Sequence, residues 1–159
     1  DSEVYVMVGD GSYMMANSEV FTSVMLGQKF ILVVLDNRGY GCIHRLQTMG
    51  CGGAGFNNLL QDCLTANGAP APKIDFTAHA VAMGAKGETV STIKELEEAL
   101  VRARASDTTY VVSIDTDPLI TSPGGCWWEV AIPEVSGRTQ VQEARAKYDE
   151  MKKRQLENL

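Results

Sequence analysis

The sequence predicts an α/β fold in three layers, α/β/α, built on a mostly parallel sheet. Two observations carry that expectation. Short, apolar, β-rich runs at residues 4–8, 30–35 and 110–114 read as strands buried on both faces, the form parallel strands take. Between them lie longer segments with apolar residues at helical spacing, opened and closed by capping residues. The resulting order, βα…αβαβ, is that of a layered α/β sheet.

The first run, Val4-Tyr5-Val6-Met7-Val8, ends at Gly9. Residues 13–26 read as one helix with Met14, Phe21, Val24 and Met25 near one face and Gly27 as its C-terminal cap. Met14 and Met15 are expected as core fillers. With residues 30–35 this makes a βαβ unit with a right-handed crossover. Residues 38–73 are the least regular part, rich in glycine and carrying Pro70 and Pro72, with a short helix expected only at 57–64. A connection of this length is functional or disordered, and its position points to an active-site loop that orders with ligand. Asp75 then caps a short helix with Phe76, Ala80 and Met83 on one side, ending at Gly84. Residues 88–90 are a short strand. Thr92-Ile93-Lys94-Glu95 has the form of a capping box, opening a helix with Ile93, Leu96, Leu100 and Ala103 at helical spacing. After Asp117-Pro118 the character changes. Pro118, Pro123, Gly124, Gly125 and Pro133 break regular structure around Trp127-Trp128, which read as packing or interface residues. Residues 140–157 form a charged terminal helix with Val141, Ala144, Tyr148 and Met151 on one stripe.

At 159 residues, with 45% hydrophobic and 21% charged positions, the chain is one globular domain or part of one. It has no initiator Met and its first core-type strand begins within a few residues. The expected organisation is residues 1–117 as a domain lacking its N-terminal part, then residues 118–159 as an extension with the terminal helix. A net charge of −6 without a basic stripe argues against nucleic acid as a partner. No apolar run is long enough to span a bilayer. Cys42, Cys51, Cys63 and Cys126 form no Cys-x-x-Cys pair, and spacing disfavours a zinc site at Cys42, His44 and Cys51. Free thiols, and hence a cytoplasmic location, are expected.

Two short motifs carry the chemistry. Gly9-Asp10-Gly11-Ser12 follows the first strand and Asp36-Asn37-Arg38-Gly39 follows the second. Ligands of open parallel sheets bind at such strand ends. Asp10 offers a carboxylate, Asn37 an amide oxygen and Gly39 a backbone carbonyl, a set suited to Mg²⁺, with diphosphate oxygens and water completing six-fold coordination. Gly9 and Gly11 let the backbone approach a diphosphate, and Ser12 with the start of the following helix can donate to it. Either motif alone is an ordinary turn. Together, each after a buried strand and joined by one helix, they point to a metal–diphosphate site. His44, shortly after the second motif, is a candidate substrate or acid–base contact.

Gly9-Asp10-Gly11 followed at this distance by Asn37 resembles the signature of thiamine-diphosphate-dependent enzymes, in their C-terminal diphosphate-binding domain. Asn37-Arg38-Gly39-Tyr40-Gly41 is similar to the loop after the signature Asn, and Asp75-Phe76 with Gly84 to the segment that follows. Asp36 departs from the pattern, where many members carry a second Asn, though that position is not a metal ligand. A narrower resemblance is to the trihydroxycyclohexane-1,2-dione hydrolases of inositol catabolism, through Gly39-Tyr40-Gly41-Cys42-Ile43, Leu46-Gln47, Lys73-Ile74-Asp75-Phe76, Trp127-Trp128-Glu129-Val130 and Glu134-Val135-Ser136.

The resemblance implies thiamine diphosphate and Mg²⁺ as cofactors. Asp10, Asn37 and Gly39 would hold the metal, and Gly9, Gly11, Ser12, Tyr40 and Gly41 would complete the cofactor site. It implies a cyclic dione substrate opened to 5-deoxy-glucuronate. It also implies an activating glutamate on another domain, the remaining domains of the same enzyme as partners, and a homodimer or homotetramer. The isolated chain is then expected to be inactive. Other readings are an acetolactate-synthase-like carboligase or decarboxylase domain, a non-catalytic Mg²⁺/phosphate module, and a structural domain that keeps the fold alone.

Overall fold

The computed structural model describes residues 2–50, 52–53, 55–120 and 129–156. Four strands, β1 (Tyr5–Gly9), β2 (Ile31–Asp36), β3 (Lys86–Val90) and β4 (Tyr110–Asp115), form one parallel sheet in the order β1-β2-β4-β3. Register is regular, with Met7 beside Val33 and Val33 beside Val112. The helices are α1 (Asp10–Ala16), α2 (Ser18–Leu26), α3 (Gly41–Gly50), α4 (Phe76–Ala82), α5 (Ile93–Ala105) and α6 (Thr139–Leu156), with a 3₁₀ turn at Leu60–Asp62.

Side chains alternate across each strand, so the sheet builds two cores. On one face Leu32, Val34 and Val111 meet Tyr13 of α1, Val20 of α2 and Phe76 and Ala80 of α4. On the other, Val33, Val112 and Ile114 meet Ala99 of α5, with Leu96 and Leu100 beside it. The three-layer α/β/α expectation holds. β2 and β4 lie between other strands and are covered on both faces, which explains their unbroken apolar runs. Local signals set the helix ends as anticipated. Gly27 adopts the left-handed cap of α2, the Asp75 carboxylate accepts the Ala78 N–H at 2.8 Å, and Thr92 and Glu95 close a reciprocal capping box.

Four expectations are corrected. Residues 13–26 are not one helix. The chain turns helical at Asp10 and breaks at Asn17 into α1 and α2. That break re-aims the surface: Tyr13, Val20 and Ser23 are buried, whereas Met14, Met15, Phe21 and Met25 are exposed. The Met pair is therefore not core filler. β1 is an edge strand with Tyr5 and Met7 exposed, because α5 covers β2, β4 and β3 on that face but not β1. In the 38–73 region the helix lies at Gly41–Gly50, and residues 57–64 hold only the 3₁₀ turn.

The signal for α3 was weak because its covering element is remote in sequence. α3 packs against α6, whose Val141 and Tyr148 are buried and whose Ala144 and Met151 are half-buried, as the predicted stripe required. Glu129 accepts hydrogen bonds from Tyr148 Oη and, at 3.0 Å, from Lys152 Nζ, while Arg145 lies over the Tyr148 ring at 4.9 Å. Gly52 meets Gln140 so closely that no side chain fits there. Trp127, Trp128, Cys51 and Cys126 lie outside the described residues. No helix among the described residues is long and apolar enough to cross a membrane.

Ile31 is fully buried in β2, whereas Ile93 at the start of α5 is 67% exposed. Ile31→Ala is expected to destabilise by about 3 kcal/mol through lost burial and a residual cavity, and Ile93→Ala by less than about 0.5 kcal/mol. Urea unfolding of the two variants checks this, and equal losses would contradict the core assignment.

Candidate functional site

The two motifs meet at the C-terminal ends of β1 and β2. β1 closes at Gly9, which takes the extended N-cap conformation, and Asp10 opens α1 with no side-chain cap before it. A carboxylate in the first turn interacts favourably with the helix dipole. Asp10 is only 4% exposed, and its Oδ2 accepts the Gly39 N–H at 2.6 Å. One hydrogen bond thus ties the end of β1 to the loop after β2.

That loop is sharply bent. Asp36 Oδ1 accepts the Arg38 N–H at 2.8 Å, and Arg38 itself sits at φ 59°. A non-glycine residue there costs on the order of 1 kcal/mol. The bend is held by Arg38 Nη2 donating to the Thr116 carbonyl at 3.0 Å and by Leu60 N–H donating to the Arg38 carbonyl at 2.7 Å. Tyr40 N–H donates to the Asn58 carbonyl at 2.7 Å, and Leu59 is buried behind the loop. Gly39, at φ 147°, lies against the backbone of Asn58 and Leu59, where any side chain would collide.

Asn37 gives the arrangement its chemical meaning. Its amide oxygen faces only acceptors. With the amide turned over, its nitrogen donates to the Gly39 carbonyl at 2.9 Å and to Asp10 Oδ1 at 3.1 Å. The three groups expected to ligate a metal therefore converge on one another. Without a cation, the amide N–H is the group that satisfies both oxygens. With the amide oxygen facing inward, three oxygens point together, and that is favourable around a hard cation. The residues present fit Mg²⁺. Among the described residues no three His, Cys, Asp or Glu side chains gather at metal-binding distance; the candidate site combines one carboxylate with an amide and a carbonyl.

Burial pushes the Asp10 carboxyl up from the usual carboxylate range. The Gly39 N–H bond opposes this, the nearby Asp36 charge adds to it, and the backbone of Gly11 and Asn37 opposes it. The net direction is upward, so the carboxylate is held at a cost that a bound cation would relieve.

Gly9, Gly11, Ser12, Asn37, Gly39, Tyr40 and Gly41 line a cavity of about 220 Å³ directly beside Asp10. The structure thus brings together every sequence-predicted cofactor residue. A Cβ on Gly11 would lie 2.7 Å from the Tyr40 ring, and one on Gly41 2.6 Å from the Asn37 side-chain amide, so glycine at both positions lets the loops close. Met15, Cys42 and Ile43 complete the wall. Sequence reasoning missed them, because their approach depends on the Asn17 break and on α3. His44 does not line this cavity. Its ring lies against Gly55, and its buried Nδ1 has no hydrogen-bond partner among the described residues.

A parallel sheet with glycine-flanked oxygen ligands at two adjacent strand ends defines an α/β domain suited to a metal-bound diphosphate. The chain belongs to the thiamine pyrophosphate enzymes, matching the model of their C-terminal TPP binding domain over residues 1–114. It is 39% identical over 146 residues to a 3D-(3,5/4)-trihydroxycyclohexane-1,2-dione hydrolase of Bacillus cereus (strain AH820), covering 89% of this chain and 22% of that protein. A protein of the same name from Geobacillus thermodenitrificans (strain NG80-2) is 36% identical over 156 residues, covering 96% of this chain and 24% of its own length. The chain thus spans about a quarter or less of these relatives. Among solved structures, a thiamine diphosphate-dependent 4-hydroxybenzoylformate decarboxylase of Rhodococcus jostii RHA1 aligns at a TM-score of 0.60 and 23% identity, over 74% of this chain and 20% of that one. A benzoylformate decarboxylase from Polynucleobacter necessarius aligns at 0.58 and 25% identity, over 75% of this chain and 20% of that one.

Because the folded state raises the Asp10 pKa, ionisation opposes folding. Stability is lost as pH rises from the unfolded carboxylate range through the folded pKa, and the penalty is complete above it. Asp10→Asn is expected to melt higher than the parent in chelator at pH 8, with the difference shrinking as pH falls below 4. Thermal melts at both pH values check this; a variant less stable at pH 8 would contradict it.

Proposed function

We propose that this chain is the diphosphate-binding domain, residues 1–117 with an extension at 118–159, of an enzyme that opens the ring of trihydroxycyclohexane-1,2-dione to 5-deoxy-glucuronate. The enzyme would cleave a carbon–carbon bond with thiamine diphosphate and Mg²⁺. The observation that carries the reading is the convergence of Asp10, Asn37 and the Gly39 carbonyl beside a glycine-walled cavity. The identity to dione hydrolases over nearly the whole chain supports the substrate class.

When bound, thiamine diphosphate supplies the nucleophilic carbon and the electron sink for carbon–carbon cleavage. The residues of this chain anchor and orient it. Asp10, Asn37 and Gly39 would hold Mg²⁺. Gly9 and Gly11 admit the diphosphate close to the backbone, Ser12 offers a hydroxyl from the first turn of α1, and Tyr40 and Gly41 close the opposite wall. Met15 and Ile43 supply apolar surface at the rim. The activating glutamate belongs to another domain of the full enzyme.

The remaining domains of that enzyme are the proposed partners, as a homodimer or homotetramer. The uncovered Tyr5 and Met7 of β1 and the exposed Phe21 and Met25 of α2 are apolar surface of the kind such contacts bury. A cytoplasmic location rests on the free thiols of Cys42 and Cys63. The second reading, a carboligase or decarboxylase, draws on the benzoylformate decarboxylase alignment.

Calorimetry of the full-length protein with Mg²⁺ and thiamine diphosphate is expected to give saturable binding, weakened by Asp10→Ala at least about 100-fold, the upper end of what losing even a group behind a metal ligand costs. Equal affinity in the two would remove the metal assignment. Incubation of the full-length enzyme with the cyclic dione or with pyruvate is expected to yield ring-opened product from the dione alone, with no turnover by the isolated chain. Carboligation of pyruvate would favour the second reading.

A further inference from the structure

We infer that Tyr13 and His79 form a positioning pair that holds the first turn of α1, and with it Asp10, in place against the Asn37–Gly39 loop. The inference rests on the metal–diphosphate reading of that site and adds residues that touch neither ligand.

α1 is seven residues long, has no side-chain cap at its start, and breaks at Asn17 before α2. A helix of that length has little stability of its own and takes its position from its contacts. At one end, Asp10 Oδ2 accepts the Gly39 N–H. The second hold is Tyr13, one turn further on and 3% exposed. Its ring stands edge-on to Phe76, with centroids 5.2 Å apart, and edge-on to His79 at 5.8 Å. Its hydroxyl shares a 3.0 Å hydrogen bond with His79 Nδ1. Burial pushes the phenol up, which keeps it protonated at neutral pH.

Phe76 and His79 are three residues apart on α4 and present one face to Tyr13. α4 is itself fixed, by the Asp75 cap at its start and by fully buried Ala80 beneath it. α4 therefore supplies a rigid socket. The aromatic contacts set how deep Tyr13 sits, and the directional hydrogen bond sets its rotation. A turn of α1 that rolls or slides moves the Asp10 carboxylate relative to Gly39, and small displacements of a ligating group carry large costs in binding.

The test uses the full-length protein, with Mg²⁺ and thiamine diphosphate as probes. Tyr13→Phe keeps the ring and removes the hydroxyl; His79→Leu removes the partner; His79→Asn returns a polar atom near the position of Nδ1. Tyr13→Phe and His79→Leu are each expected to weaken cofactor binding about 3- to 10-fold, the range of one net hydrogen bond. The double variant is expected to be no worse than either single one, and His79→Asn to recover most of the loss. The effect should fall on cofactor affinity, with kcat at saturating cofactor changed by less than about twofold. Unchanged affinity in Tyr13→Phe overturns the pairing, as do additive losses in the double variant. If His79→Leu fails to fold, Tyr13→Phe and His79→Asn decide the matter. Absence of any cofactor binding by the parent protein would instead remove the metal–diphosphate reading, and the positioning role with it.

Discussion

The hydrogen bond from the Gly39 N–H to the Asp10 carboxylate locks the loop after β2 onto the end of β1, just beyond the last pair of their ladder, Gly9 beside Leu35. β1 delivers Asp10 to the rim of the sheet, and β2 delivers Asp36 to the same rim one strand away. The loop after β2 must then fold back, and Arg38 in a left-handed conformation with Gly39 beside it makes that possible. A buried carboxylate with a like charge nearby is unfavourable alone. The molecule holds it with backbone N–H groups, leaving Asp10 Oδ1 directed toward Asn37 and the Gly39 carbonyl.

The rest of the structure can be understood as support for that junction. From below, the central strands β2 and β4 are packed on both faces and give a rigid platform. From one side, Asn58, Leu59 and Leu60 clasp the loop by backbone hydrogen bonds and a buried leucine. α3 continues directly from the loop and is braced by α6, so the terminal helix contributes to loop geometry without touching the site. From the other side, α1 is held by Tyr13 in the socket of α4. Glycine at 11 and 41 leaves room for the Tyr40 ring and the Asn37 side chain, and glycine at 39 leaves room for the backbone of Asn58 and Leu59.

Much of this was legible in the sequence where the governing physics is local. The apolar runs of β2 and β4, the αL cap at Gly27, the Asp75 cap and the Thr92–Glu95 box each depend on residues within a few positions of one another. The metal-type motif was legible for the same reason, as each half sits at the end of its own strand. Failures came where a distant element chose between faces. Met14, Phe21, Val24 and Met25 fall near one face of a continuous 13–26 helix, yet the break at Asn17 and the Ser23–Thr109 hydroxyl contact at 2.7 Å turn Val20 and Ser23 inward. β1 looked like a doubly buried strand, yet α5 does not reach over it.

By itself the sequence determined the four strands, the helices α4, α5 and α6, the caps at Gly27, Asp75 and Thr92, the parallel α/β class and the pairing of Gly9-Asp10-Gly11 with Asn37. Those depend on backbone preference and short-range hydrogen bonding. Only the tertiary structure decided which apolar faces are covered, that α3 is a helix, that Met15, Cys42 and Ile43 wall the cavity, and that Tyr13 meets His79. These are contacts between residues far apart in the chain, and they exist only once the sheet order β1-β2-β4-β3 has fixed which helices share a face.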